Sequence, residues 1–223
     1  MLLLQSLFGS SVGKKVLMAG SGVLLLLFLL THLLGNLQIF SGPAALNAYA
    51  HFLHSKPALV WVARLAVLAL FAAHIVTSIL LTLENRAARP VPYHREDTLT
   101  ASLASRTMIW SGLTVGAFLV YHLLHLTAQV TGPVGNVTAE GGPDVFANVV
   151  ASFRDPAIAG AYLVAQLMLL FHLLHAFQSA LQTLGWRQRR FAPALERAGQ
   201  AYALLIAGGN GAIVLAVWTG WVS

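Results

Sequence analysis

Polar positions are sparse along this chain, and where they fall divides it into five apolar runs, roughly 15–40, 57–84, 103–130, 157–184 and 199–221. About 20 apolar residues cross the hydrocarbon of a bilayer at a rise of about 1.5 Å per residue, so each run predicts one transmembrane helix. Lys14 and Lys15 open the first run, and Gly42-Pro43 closes it. Pro57 and Pro156 stand in the first turns of the second and fourth runs, where a missing N–H costs nothing. Arg86, Arg89 and Pro90 end the second, and Gly132-Pro133 ends the third. Residues 43–55 are too short to cross and mix apolar with polar positions, which predicts a short helix lying at the interface. The segment 131–155 reads as a loop with an amphipathic turn around 145–153. The expected fold is all-α: one integral membrane domain over 1–223 with five transmembrane helices, the first four forming a bundle and the fifth packed outside it. Gly208, Gly209 and Gly211 in the fifth run permit close approach of another helix.

Composition agrees with the pattern. The 223 residues are 57% hydrophobic and 9% charged, against about 25% charged in soluble domains. Met1–Phe8 is apolar but has no basic residues ahead of it, and Lys14-Lys15 follow it in place of a cleavage site, so no signal peptide is expected. The net charge of +6 comes from basic residues that flank the apolar runs, which assigns it to topology and not to nucleic acid. Lys14, Lys15, Arg86, Arg89, Arg95, Arg106, Arg187, Arg189, Arg190 and Arg197 fall on one side, and Lys56, Arg64 and Arg154 on or near the other. The positive-inside rule then places the N-terminus inside and the C-terminus outside, in a multi-pass protein of the inner (cytoplasmic) membrane. With no cysteine, disulfides, thiolate-held clusters and cysteine nucleophiles are excluded, and histidine is left as the metal ligand to consider.

Four histidines lie deep in four successive apolar runs: His32, His74, His122 and His172. An imidazole in hydrocarbon needs a partner, so such residues are functional candidates. Counting rise along each helix puts His32 and His122 about 15 Å below the outer boundary, and His74 and His172 about 25 Å below it. In an up-down-up-down bundle the first and third helices are diagonal, as are the second and fourth, so each pair faces across the core. Two axial imidazoles on opposite faces of a porphyrin make a six-coordinate b-type haem that carries electrons and does not bind oxygen. The expected cofactors are therefore an outer haem b on His32 and His122 and an inner haem b on His74 and His172. No Cys-x-x-Cys-His is present for covalent attachment.

Other polar residues are assigned around this frame. His125 and His175, each one turn from a presumed ligand in a His-Leu-Leu-His, are expected to bond a propionate or water, with replacement of the ligand as the alternative. Arg106 and Trp110 open the third helix where they can serve an inner propionate, although positive-inside bias also explains Arg106. Ser21, between Gly20 and Gly22, lies where backbone comes close to a ligand or to another helix. Quinone, either menaquinone or ubiquinone, has candidate contacts at Ser21, Lys14 and Arg106 on the inner side and at His51, His54 and Arg64 beyond the outer haem. His51 and His54 also read as a solvated interfacial face, and His94 as an inner-loop residue.

Four stretches carry a family resemblance: Lys14 through His32, Leu46-Asn47-Ala48-Tyr49-Ala50-His51, Arg106 through Tyr121-His122, and Phe171-His172-Leu173-Leu174-His175 followed by Ser179-Ala180-Leu181-Gln182-Thr183-Leu184-Gly185. In these the chain resembles the dihaem, single-subunit cytochrome b membrane anchor of succinate dehydrogenases and fumarate reductases. The resemblance covers nearly the whole chain, and the last stretch is its most specific part. It implies haem ligation at His32, His74, His122 and His172, in the pairing already reached from depth. It also implies flavoprotein and iron–sulfur subunits on the inner face, electron exchange with quinone, and no turnover of succinate by this chain alone. Some dihaem fumarate reductases have a carboxylate just before the fourth ligand, associated with proton movement; here that place is Leu170-Phe171, and the start of the second helix has Lys56 and no acid. Two rivals stand: the dihaem quinone cytochrome of a nitrate reductase, formate dehydrogenase or hydrogenase, and a transporter or scaffold whose histidines bind metal ions or protons.

Overall fold

The computed structural model describes residues 8–88, 102–139 and 141–223. Arg89, Pro90, His94, Arg95 and residues 1–7 lie outside the described residues. Among the described residues there is no β-strand, only an isolated bridge between Val137 and Pro143. Five helical segments are long and apolar enough to cross a membrane, which makes this a multi-pass membrane protein: Ser11–Ser41, Pro57–Ala87, Met108–Thr127, Pro156–Thr183 and Ala192–Trp218.

Helix α1 (Ser11–Asn36) begins where the Ser10 hydroxyl accepts from the Gly13 N–H at 3.0 Å. It tightens into a 3₁₀ turn over Leu37–Ser41 and ends at Gly42, whose φ of 92° is open to glycine. The short helix α2 (Pro43–His54) follows, then the long α3 (Pro57–Ala87), each with proline in its first turn. The third span differs from the single run expected. A one-turn helix α4 (Leu103–Arg106) stops at Thr107, and α5 (Met108–His122) starts after it. The break falls in a polar stretch, Ser105-Arg106-Thr107, and the apolar span proper begins at Met108, later than the expected start at 103. Directly after His122 the helix widens into a π turn over Leu123–Thr127, and the positive φ of Gln129 and Gly132 turns the chain back. Helix α6 (Val145–Arg154) is capped by Asp144, and α7 (Pro156–Thr183) by Asp155, whose carboxylate accepts from Ala157 N–H at 2.8 Å. Helix α8 (Ala192–Trp218) starts earlier than the apolar run, because Pro193 initiates it and the exposed Glu196 and Arg197 ride on its first turns.

Three interfaces build the bundle: α1 with α3, α1 with α7, and α5 with α7. Helices α3 and α5 share no substantial interface. Lys14, at the start of α1, is ion-paired with Glu84 near the end of α3, so these two helices run antiparallel. Helix α8 lies along α1 and α7. The Tyr202 hydroxyl donates to the Leu26 carbonyl, and a Cβ on Gly209 would sit 2.9 Å from the Leu33 methyls. A Cβ on Gly199 would meet the Phe177 ring at 2.8 Å. Small residues thus seat α8 by close backbone approach. Leu33, Ile39, Phe153, Tyr162, Ile206, Val214 and Val217 form the core, toward the end of the molecule where α1 stops. That end is closed by α2 and α6. Asn47 joins them, its amide N–H donating to Asp144 at 2.9 Å and its carbonyl accepting from Phe146 N–H at 3.1 Å. The outward face of α3, with Trp61, Val62, Leu65 and Leu68, is exposed and largely apolar, Arg64 being its charged residue.

Candidate functional site

The histidines that depth sorts together are the ones that meet. Near the end where α1 begins, His74 of α3 and His172 of α7 have ring centroids 6.3 Å apart at an interplanar angle of 69°. Toward the end where α1 stops, His32 of α1 and His122 of α5 have centroids 5.9 Å apart at 87°. We call these the near and far pairs. Each joins helices that do not pack on one another, because the intervening helices hold them apart. Among the described residues no group of three or more His, Cys, Asp or Glu side chains gathers in one place.

The near pair is held by backbone and by glycine. The His74 Nδ1–H donates to the Met18 carbonyl at 3.1 Å, with the Ser21 hydroxyl 3.5 Å from the same nitrogen. Gly22 leaves room for the ring: a Cβ there would lie 3.4 Å from His74 Cε1. On the opposite side Ser111 Oγ is 3.4 Å from His172 Nδ1, and a Cβ on Gly112 would lie 3.5 Å from His172 Cε1. These cradles are one motif used twice. Met18-x-x-Ser21-Gly22, then Phe28, then His32 on α1 recurs as Met108-x-x-Ser111-Gly112, then Phe118, then His122 on α5. Phe28 stacks on His32 at 5.4 Å, and Phe118 lies 5.7 Å from His122. Each of α1 and α5 therefore supplies a Ser-Gly seat at one level and a Phe-supported histidine at the other. Ser21 stands out in the sequence between two glycines, whereas Ser111-Gly112 emerges only when the first and third apolar runs are aligned on their histidines.

The far pair is held by side chains. Tyr162 of α7 places its hydroxyl 3.2 Å from His122 Nδ1 and 2.9 Å from His125 Nδ1. His125 Nε2 lies 2.9 Å from Ser152 Oγ, which donates to the Asn148 carbonyl at 2.7 Å. Both His125 nitrogens are thus taken by protein, and the ring is fully buried. The propionate or water expected for it is replaced by Tyr162 and Ser152. Tyr162 escaped notice because a tyrosine in an apolar run carries no sequence sign of its distant partners. Beside the far pair is a cavity of about 230 Å³, lined by His32, His122, Asn148, Tyr162, Gln166 and Asn210 among others. Asn148 Nδ2 and Gln166 Oε1 are buried there without a hydrogen-bond partner.

Of the remaining candidates only Ser21 touches a pair. Lys14 is buried against Glu84. Ser21 belongs to the His74 seat, donating to the Leu17 carbonyl at 2.8 Å. Trp110 is 69% exposed, and Arg106 is exposed. His175 is half-buried one turn from His172. His51 and His54 are exposed on α2, with His54 Nδ1–H donating to the Ala50 carbonyl at 2.8 Å. Arg64 sits over the Trp61 ring at 5.3 Å on the outward face of α3. No family model, curated protein or solved structure matches the chain.

Proposed function

We propose that this chain is the dihaem cytochrome b anchor of a succinate dehydrogenase or fumarate reductase, carrying electrons between an iron–sulfur subunit and membrane quinone. The observation that carries the reading is the spacing of the two imidazole pairs, 5.9 and 6.3 Å between centroids. Two in-line metal–nitrogen bonds of about 2.0–2.1 Å, plus roughly 1 Å from each nitrogen to its ring centre, put the centroids about 6 Å apart. The residues therefore fit an iron held between His32 and His122 and another between His74 and His172. His32 with His122, and His74 with His172, would hold the haem irons, and haem would supply one-electron chemistry there.

The protein's own part is orientation and exclusion of water. Met18 fixes His74 by its carbonyl, and Tyr162 fixes His122 by its hydroxyl, so that in each ring Nδ1 is engaged and Nε2 is free for metal. The cavity that both His32 and His122 line offers part of the room a haem held between them would need, with Asn148 Nδ2 and Gln166 Oε1 as unpaired polar groups in its wall. Basic residues at the near end support an inside location for that end, where the flavoprotein and iron–sulfur subunits would dock. The test is a reduced-minus-oxidised spectrum with a haem-to-protein ratio on the purified complex. A b-type band with two haems per chain is expected; no such band removes this reading and leaves a membrane scaffold. The identity of the co-purifying soluble subunits separates it from the nitrate reductase, formate dehydrogenase and hydrogenase types.

A further inference from the structure

The hydrogen bonds behind the far pair have one consistent direction. Ser152 Oγ lies 2.7 Å from the Asn148 carbonyl, which can only accept, so the Ser152 proton is committed there. The Ser152 oxygen is then an acceptor for His125, whose Nε2 carries the proton. In a neutral imidazole the other nitrogen is an acceptor, so His125 Nδ1 receives the Tyr162 proton across 2.9 Å. With its proton so directed, the Tyr162 oxygen accepts, and the nitrogen it faces at 3.2 Å, His122 Nδ1, is the donor. The sequence of bonds leaves His122 one tautomer, with Nε2 bare. Nothing in it is shared with the near pair, where His74 meets a backbone carbonyl that no side-chain substitution removes.

We infer that Tyr162, His125 and Ser152 form a relay that sets the tautomer and the electron richness of His122, making Tyr162 a positioning residue for the far iron. The inference rests on the reading that His122 holds a haem. A ligand imidazole that donates its outer N–H is more basic toward its metal, which stabilises the oxidised iron and lowers its potential. Tyr162→Phe keeps the ring in its packed place and deletes the acceptor. Ser152→Ala acts from a distance: His125 loses its Nε2 acceptor, turns its proton to Nδ1, and competes with His122 for the Tyr162 oxygen. Ser152→Thr keeps the hydroxyl.

The experiment is a redox titration of the purified complex, with low-temperature EPR resolving the two low-spin haems. Expected for Tyr162→Phe and Ser152→Ala is a rise in the far haem's midpoint potential and a shift of its largest g value, with the near haem unmoved. Ser152→Thr should titrate like the wild type. Two haems present in every variant with neither potential altered would overturn the relay, as would equal shifts in Ser152→Ala and Ser152→Thr, which report volume and not the hydroxyl. If Tyr162→Phe fails to assemble, the Ser152 variants decide alone. A wild-type complex with no haem would instead remove the underlying function.

Discussion

The near and far histidine pairs do the same geometric job by different means. At the near level, Gly22 and Gly112 keep side chains out of the rings' path, the Met18 backbone carbonyl takes the His74 proton, and the Ser111 hydroxyl faces His172. At the far level, Tyr162 and His125 reach in from neighbouring segments, and α6 contributes Ser152 from above. The comparison teaches that the duplicated helices α1 and α5 fix where the imidazoles sit, whereas their surroundings are specialised separately. A backbone seat tolerates little variation in shape but is insensitive to chemistry. A side-chain seat is adjustable by single substitutions.

The largest effect that can break this comparison is loss of a ligand. Replacing His74 or His172 by alanine should remove the near haem and leave the far one, and His32 or His122 the reverse; haem content per chain, with EPR to identify the survivor, checks it. Loss of both haems from one substitution in a normally assembled complex would contradict the independence of the levels. Next, Gly22→Leu should drive the His74 ring out of place, since even a Cβ there stands 3.4 Å from its Cε1. The near haem's band should diminish while the far one persists. Gly132→Ala tests the far level in the same way. Its φ is +78° and its Cβ would lie 2.8 Å from His125 Nε2, so a cost of about 1–3 kcal/mol in stability is expected, read as a lower thermal midpoint together with a perturbed far-haem signal. The smallest effect belongs to His175→Ala. Though His175 occupies the same place in its His-Leu-Leu-His as His125 does, no relay like that of His125 engages it among the described residues, and both haem signals should remain within error of wild type.

Much of this was legible in the chain. Hydropathy located the five spans, and rise per residue sorted the four deep histidines into the pairs that meet. The Asn47 stretch, noticed only as part of a resemblance, acquires a physical role in tying α2 to the start of α6. Three things were hidden. Ser105, Arg106 and Thr107 mark a polar stretch but not whether the helix runs through it or stops, which backbone dihedrals decide. The π turn after His122 changes which way His125 points, and periodicity calculated for an α-helix cannot foresee it. The roles of Lys14 and Ser21 depended on partners in α3, Glu84 and His74, that only folding brings beside them.

Helix α8 covers α1 and α7, the side on which the bundle is already packed, while α3 and α5 stand without a shared interface on the other. The molecule is accordingly asymmetric about its own long axis, sealed on one flank and unlatched on the other. Among the described residues, a broad planar guest arriving from the surrounding lipid would meet no substantial helix interface between α3 and α5.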